Sequence, residues 1–182
     1  YQVKLKTVSN AGCTDSVSHN ITIHPNPVAA FSISDACETG DAAIQNNTSI
    51  AMGTLNYSWV FGDGTISSAA VPSKSFSTDS IYEVVLEASS GFGCTDRDTN
   101  YVSIYDVPAS LISASNICQT DSYVFINSSM ANNPTLAYTW DFGDLTTAAV
   151  SNPTHKYTTG GSFDVKLTVK SSLGCEDVYT QT

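Results

Sequence analysis

Five cysteines are the residues best able to make covalent bonds, and their spacing is regular. One and the same interval separates Cys13 from Cys94, Cys94 from Cys175 and Cys37 from Cys118. These spacings are not those of a zinc finger or ribbon, so the chemistry they suggest is disulfide formation. Asp141 and Asp144 could form a carboxylate pair for acid–base work. One interval earlier stand Val60 and Asp63, so a reaction that needs two carboxylates lacks one there. The three histidines, His19, His24 and His155, do not recur either: Asn100 and Tyr105 stand one interval after the first two. No Ser–His–Asp spacing, His-Glu-x-x-His motif or glycine-rich phosphate loop is present. The sequence therefore predicts no catalytic residue, not an enzyme, and three surface histidines.

The cysteine interval belongs to a repeat that positions everything else. Trp59 and Trp140, Asp63 and Asp144, and Pro72 and Pro153 share the same offset. The segment YQVKLKTVSNAGCTD at 1–15 aligns with YEVVLEASSGFGCTD at 82–96 and FDVKLTVKSSLGCED at 163–177. Three pieces are expected: residues 1–23 as the last two strands of one repeat, 24–104 as a complete repeat, and 105–182 as a repeat lacking its last few residues. The natural protein is expected to continue in both directions.

Each repeat reads as β. Short alternating stretches are bounded by Gly, Asn, Asp, Ser and Pro, with strands expected near 29–34, 42–48, 56–61, 73–77, 82–88 and 95–104. Val84, Leu86 and Ala88 fall on one face and Glu83, Val85 and Glu87 on the other, the pattern of a half-buried antiparallel strand. Six or seven such strands predict an all-β, immunoglobulin-type sandwich per repeat.

The chain has 182 residues with 17 Asp+Glu against 7 Lys+Arg, a formal net charge of −10. An acidic surface gains nothing from a phosphate backbone and is repelled by anionic membranes, so no nucleic-acid partner and no membrane insertion are expected. A hydrophobic fraction of 41% suffices for a packed core.

The segments YSWVFGDGT (57–65) and YTWDFGDLT (138–146) carry a resemblance to the PKD (polycystic kidney disease) domain, whose signature is WDFGDG. Tyr57, Trp59, Phe61, Gly62 and Asp63, with Tyr138, Trp140, Phe142, Gly143 and Asp144, match it. They are assigned structural roles: aromatic side chains in the core, glycines in a tight turn, and an aspartate accepting N–H bonds across it. Val60 and Leu145 depart from the signature, and Leu145 in place of Gly64 suggests that this position does not strictly need positive φ. The proline before the first strand and the NAGCTD-type hairpin further resemble tandem repeats of giant Bacteroidota surface proteins exported by the type IX pathway, among them gliding adhesins. The resemblance implies an extended end-to-end array, secreted or on the cell surface. Some members of the family bind Ca²⁺, and Asp35, Glu38, Asp41, Asp96 and Asp98 are the acidic residues expected near the joints. No ligand set is assigned.

Two disulfide patterns follow from an immunoglobulin-type topology. The preferred one is Cys37–Cys175, from the turn after the first strand of one repeat to the last hairpin of the next, because those two features of a single repeat lie a strand length apart, roughly 26 Å for eight residues. It leaves Cys13, Cys94 and Cys118 without a partner in this sequence, each expected to pair with a repeat beyond it. The alternative is intra-repeat: Cys37–Cys94 and Cys118–Cys175. Prolines in the linkers at 24–27 and 106–108 would stiffen the joints. Ser16 and Ser80 sit in Asp-Ser-aliphatic triplets that resemble Bacteroidota O-glycosylation sites. The expected function is a non-catalytic spacer of a large surface adhesin, whose partners are neighbouring repeats. The alternative is a carbohydrate- or protein-binding accessory module of a secreted hydrolase, with Tyr101, Tyr105, Tyr123 and Tyr179 as the aromatic candidates.

Overall fold

A computed structural model describes residues 1–113, 121–132 and 135–182. All elements among them are β-strands. The first pair, β1 (Gln2–Val8) and β2 (Thr14–Asn20), forms an antiparallel hairpin with Leu5 opposite Val17. Every residue of both strands is exposed.

Nine strands follow in 24–104 and its last residue beyond: β3 (Phe31–Ile33), β4 (Ala36–Cys37), β5 (Asp41–Ala42), β6 (Ile44–Asn46), β7 (Leu55–Phe61), β8 (Ile66–Ser67), β9 (Lys74–Ser75), β10 (Ser80–Ser90) and β11 (Thr95–Tyr105). The main sheet has the order β4-β11-β10-β7-β8, and β3–β6 and β5–β9 pair separately. The second repeat holds β12 (Ile112–Ser113), β13 (Tyr123–Val124), β14 (Ile126–Asn127), β15 (Leu136–Asp141), β16 (Thr147–Ala148), β17 (Thr154–His155), β18 (Val165–Ser171) and β19 (Glu176–Gln181). Its four-stranded sheet, β16-β15-β18-β19, repeats the first one's order, with β12–β14 and β13–β17 pairing beside it.

Alternation decides which side chains are inside. Along β10 Val84, Leu86 and Ala88 are buried while Ile81 and Glu83 point to solvent, and β18 buries Val165, Leu167 and Val169. Trp59 stands opposite Leu86, and Trp140 opposite Leu167. Both indoles are fully buried, and each donates its Nε1–H to a backbone oxygen further along the chain: Ala69 at 2.9 Å and Val150 at 3.0 Å. The one polar atom of each ring is thus satisfied, and removing the apolar remainder from water is worth on the order of 4–6 kcal/mol per ring. Pro27 and Pro108 are also fully buried, so one proline of each expected linker is packed away from solvent, while Pro25 is half-buried.

The turn after Trp–x–Phe corrects one expectation. Gly64 has φ 85°, and Leu145 keeps the same left-handed conformation at φ 72° with its side chain fully exposed. The position does require positive φ, and leucine occupies it under strain. Gly143 is a stricter case: a Cβ there would lie 2.9 Å from the Asp164 backbone oxygen.

The described chain divides into two compact units that do not follow the sequence repeat. One comprises 1–32, 45–72 and 84–100; the other comprises 33–44, 73–83 and 101–182.

Candidate functional site

The covalent chemistry of the chain is concentrated at Cys37 and Cys175, both in the second compact unit. They form a disulfide with a Cα–Cα distance of 5.6 Å, closing a separation of 138 residues. Cys37 is placed by β4, which runs parallel to the end of β11 with Cys37 opposite Tyr105. The following turn is tied down by backbone bonds: Glu38 N–H to the Tyr105 oxygen at 2.8 Å, Thr39 N–H to the Phe76 oxygen at 2.8 Å, and Gly40 N–H to the Cys37 oxygen at 3.0 Å. The Glu38 carboxylate accepts the Asp79 N–H at 2.7 Å. Tyr105 is held by its hydroxyl on Asp35, whose other oxygen accepts the Ser103 N–H at 2.8 Å.

Cys175 is placed by the hairpin between β18 and β19. Ser171 N–H bonds the Cys175 oxygen at 2.8 Å, and the Ser171 hydroxyl accepts the Cys175 N–H at 3.2 Å. Its Sγ lies 3.8 Å from the Tyr105 carbonyl oxygen, and the residue is buried.

The intra-repeat pairing is overturned. Cys94 carries a free thiol, and so does Cys13. Cys94 immediately precedes β11, and Cys37 pairs at that strand's far end. At 3.3 Å per residue the strand is roughly 35 Å long, several times the reach of a disulfide. Cys118–Cys175 is excluded because Cys175 already bonds Cys37; Cys118 itself lies outside the described residues.

The carboxylates considered for calcium are engaged by hydrogen-bond donors. Asp96 accepts the Ala29 N–H at 2.9 Å and Asp98 the Phe31 N–H at 3.0 Å. Asp177, the repeat mate of Asp96, accepts the Ser110 N–H at 2.9 Å and its hydroxyl at 2.6 Å. These bonds to Ser110 outweigh partial burial and hold the Asp177 carboxyl below its ordinary value. Asp41 accepts the Ser73 hydroxyl at 3.3 Å. Among the described residues no group of three or more His, Cys, Asp or Glu is arranged to hold a metal ion.

The signature aspartates cap their turns alike. Asp63 accepts the Thr65 N–H, and Asp144 the Thr146 N–H, both at 3.1 Å. Asp144 also meets His155 Nε2 at 2.8 Å. Burial raises the Asp144 pKa, but the bonds from Thr146 and His155 prevail and leave it lowered. His155 is no free surface residue: it stacks on Phe142 at 4.2 Å and meets Tyr157 edge-on. Tyr157 donates its hydroxyl to the Phe142 oxygen at 3.0 Å. Burial, then the Asp144 charge, push that phenol up to about 12.

An open groove of about 900 Å³ adjoins the disulfide-bonded turn, lined by Glu38, Asp106, Met130, Asn132, Leu136 and Tyr138 among others. The Asp106 carboxylate accepts the Asn132 N–H at 2.5 Å. The four tyrosines considered for ligand binding are spent differently. Tyr101 is exposed with its hydroxyl on Glu83, Tyr105 is bound to Asp35, Tyr123 packs edge-on against Phe125, and Tyr179 packs against the core of the second repeat. Ser16 and Ser80 are both exposed on strands.

A family model for the PKD domain matches residues 24–104 and again 108–182. The chain belongs to the PKD domain family. Collagenase ColA of Bacillus cereus is 49% identical over 45 residues, which is 25% of this chain and 5% of that protein. The pre-pro-metalloprotease PrtV of Vibrio cholerae is 40% identical over 55 residues, 30% of this chain and 6% of that protein. The chain thus spans only a small part of the curated relatives it matches. Among solved structures, the fibronectin(III)-like modules of Clostridium thermocellum CbhA cover 83% of this chain and 91% of their own, at 9% identity and a TM-score of 0.43. Two PKD copies with the same strand order and the same caps make this a tandem array of β-sandwich modules. No helix among the described residues is long and apolar enough to cross a membrane.

Proposed function

We propose that this PKD pair is a non-catalytic spacer segment of a large secreted adhesin, holding a distal part of the protein away from the cell. The observation that carries it is the Cys37–Cys175 disulfide, which ties the turn of one repeat to the last hairpin of the next. A second covalent tie between successive repeats restrains hinge motion, and a restrained spacer presents its tip at lower entropic cost. Disulfides persist outside the cytosol, which fits an extracellular location. Export by the type IX pathway and a gliding role rest on the resemblance of the hairpin and proline pattern to Bacteroidota surface repeats.

The reading is tested by placing one fluorophore in 24–104 and another in 105–182 and recording the distance distribution before and after reduction. Broadening on reduction is expected; an unchanged distribution defeats the stiffening role.

The matches within a collagenase and a metalloprotease favour a second reading, an accessory module of a secreted hydrolase that binds glycan or protein. A specific, saturable signal on a glycan or collagen panel would favour it over the spacer.

A further inference from the structure

Cys37 and Cys175 split the covalent chain into two routes. One is the backbone between them, a separation of 138 residues. The other is the disulfide, whose Cα atoms lie 5.6 Å apart. Every strand from β5 to β18 falls on the long route. Trp59 with its cross-strand partner Leu86, and Trp140 with Leu167, are on it too. Both tryptophan cores therefore belong to a closed loop that a pull on the two chain ends can bypass.

What remains on the short route is already extended. Ahead of the bond run β3 and β4; behind it runs β19, paired from Glu176 to Gln181 with β18. A strand rises roughly 3.3 Å per residue and a stretched chain spans at most about 3.6 Å, so only about 0.3 Å per residue is left to gain. Work is force times displacement, and these strands give almost no displacement. They are also anchored along their length. The Ala29 and Phe31 N–H groups sit on Asp96 and Asp98 at 2.9 and 3.0 Å, and Ala36 and Cys37 lie opposite Ile104 and Tyr105. On β19, Asp177 holds the Ser110 N–H and hydroxyl. The long route is the opposite case: unfolded and stretched, its 138 residues would span about 450–500 Å.

We propose that the Cys37–Cys175 bond is a length stop. Under tension it carries load from β4 directly to β19, past both tryptophan cores. Neither core has to resist the pull, and neither can lengthen the segment by unfolding. This deepens the spacer reading and rests on it only for the premise that the protein is pulled. A joint that bends freely at rest still stops at a fixed length under load, so the two readings fail separately.

The test holds the full chain by its two ends in magnetic tweezers. The load is set where the Cys37→Ser/Cys175→Ser variant unfolds completely; the parent chain reduced before loading replaces the variant if the variant does not fold. At that load the oxidised chain should stay about 450–500 Å shorter, with the β1–β2 hairpin opening equally in both. Chymotrypsin is then supplied under load and washed out, and a thiol reductant is added. A cut inside the loop stays hidden until the bond opens, and then breaks the tether. Oxidised tethers should break on reduction no more often than tethers given the protease at rest, and at least about tenfold less often than the variant breaks under load. Breakage as frequent as the variant's would show that load unfolds the cores in spite of the bond, and the proposal would fall. An oxidised chain that lengthens as far as the variant would overturn it outright.

Discussion

Leu145 holds at φ 72° the left-handed conformation that Gly64 holds at φ 85° in the preceding repeat. A branched side chain in that region costs roughly 1–2 kcal/mol relative to glycine. Leu145 recovers none of it by packing, because its side chain is fully exposed. Leu145→Gly should therefore raise stability by about 1 kcal/mol, and Gly64→Leu should lower it by a similar amount. Leu145→Ala should gain little, since alanine meets the same backbone strain. Urea denaturation of the four chains checks all three.

The same position shows where sequence reading ends. The alternation of Tyr57, Trp59 and Phe61 announces a strand with one buried face, because a period of two is written in side-chain type. The recurring interval between the cysteines, with strand length, is enough to favour Cys37–Cys175. Backbone conformation is not written that way: leucine after an aspartate reads as a residue content with ordinary φ, and only the turn that Asp144 caps shows otherwise. His155 likewise looks isolated in the sequence. Its partners Phe142 and Asp144 come from the preceding strand and turn, and its repeat mate is Lys74, so repetition gives no signal. The Asp96 and Asp177 bonds reach backbone N–H groups 67 residues away, where any residue but proline would serve.

Asp177 gives a prediction in acid. Its folded-state pKa is depressed by the Ser110 hydroxyl and N–H, so its contribution is present above the ordinary carboxyl pKa of about 3.9 and is lost as pH falls through the folded value. Asp177→Asn should lower the melting temperature at pH 7, and the gap to the parent chain should close as pH drops below about 4. A gap that stays constant to pH 2 would show that the amide and the carboxylate bond Ser110 equally well.

Tyr157 gives one in base. Its phenol is raised to about 12 in the folded chain by burial and then by the Asp144 charge. The unfolded phenol ionises near 10, so this group's contribution is intact below pH 10 and is lost as pH rises from there towards 12. Absorbance titration at about 295 nm should show late tyrosine ionisation from Tyr157, raised by burial, and from Tyr101, raised by its bond to Glu83, and Tyr157→Phe should remove the Tyr157 step. Asp144→Asn should shift the step to lower pH while leaving most of it, since burial is the larger cause.

The disulfide gives the largest effect. Cys37 and Cys175 close a separation of 138 residues, for which chain entropy predicts on the order of 4–5 kcal/mol. Loop closure acts on the unfolded ensemble, so the Cys37→Ser/Cys175→Ser double variant should keep its strand content and native fluorescence yet unfold at markedly lower urea. Reduction of the parent chain should reproduce that shift, and reduction of the double variant should add nothing. Each module keeps its own buried tryptophan, so a tie that acts on their union should leave Trp59 and Trp140 buried in the reduced chain and lower the denaturant midpoint alone. A reduced chain whose tryptophan emission shifts to the red without denaturant would mean that the bond holds a core together, and the entropic account would fail.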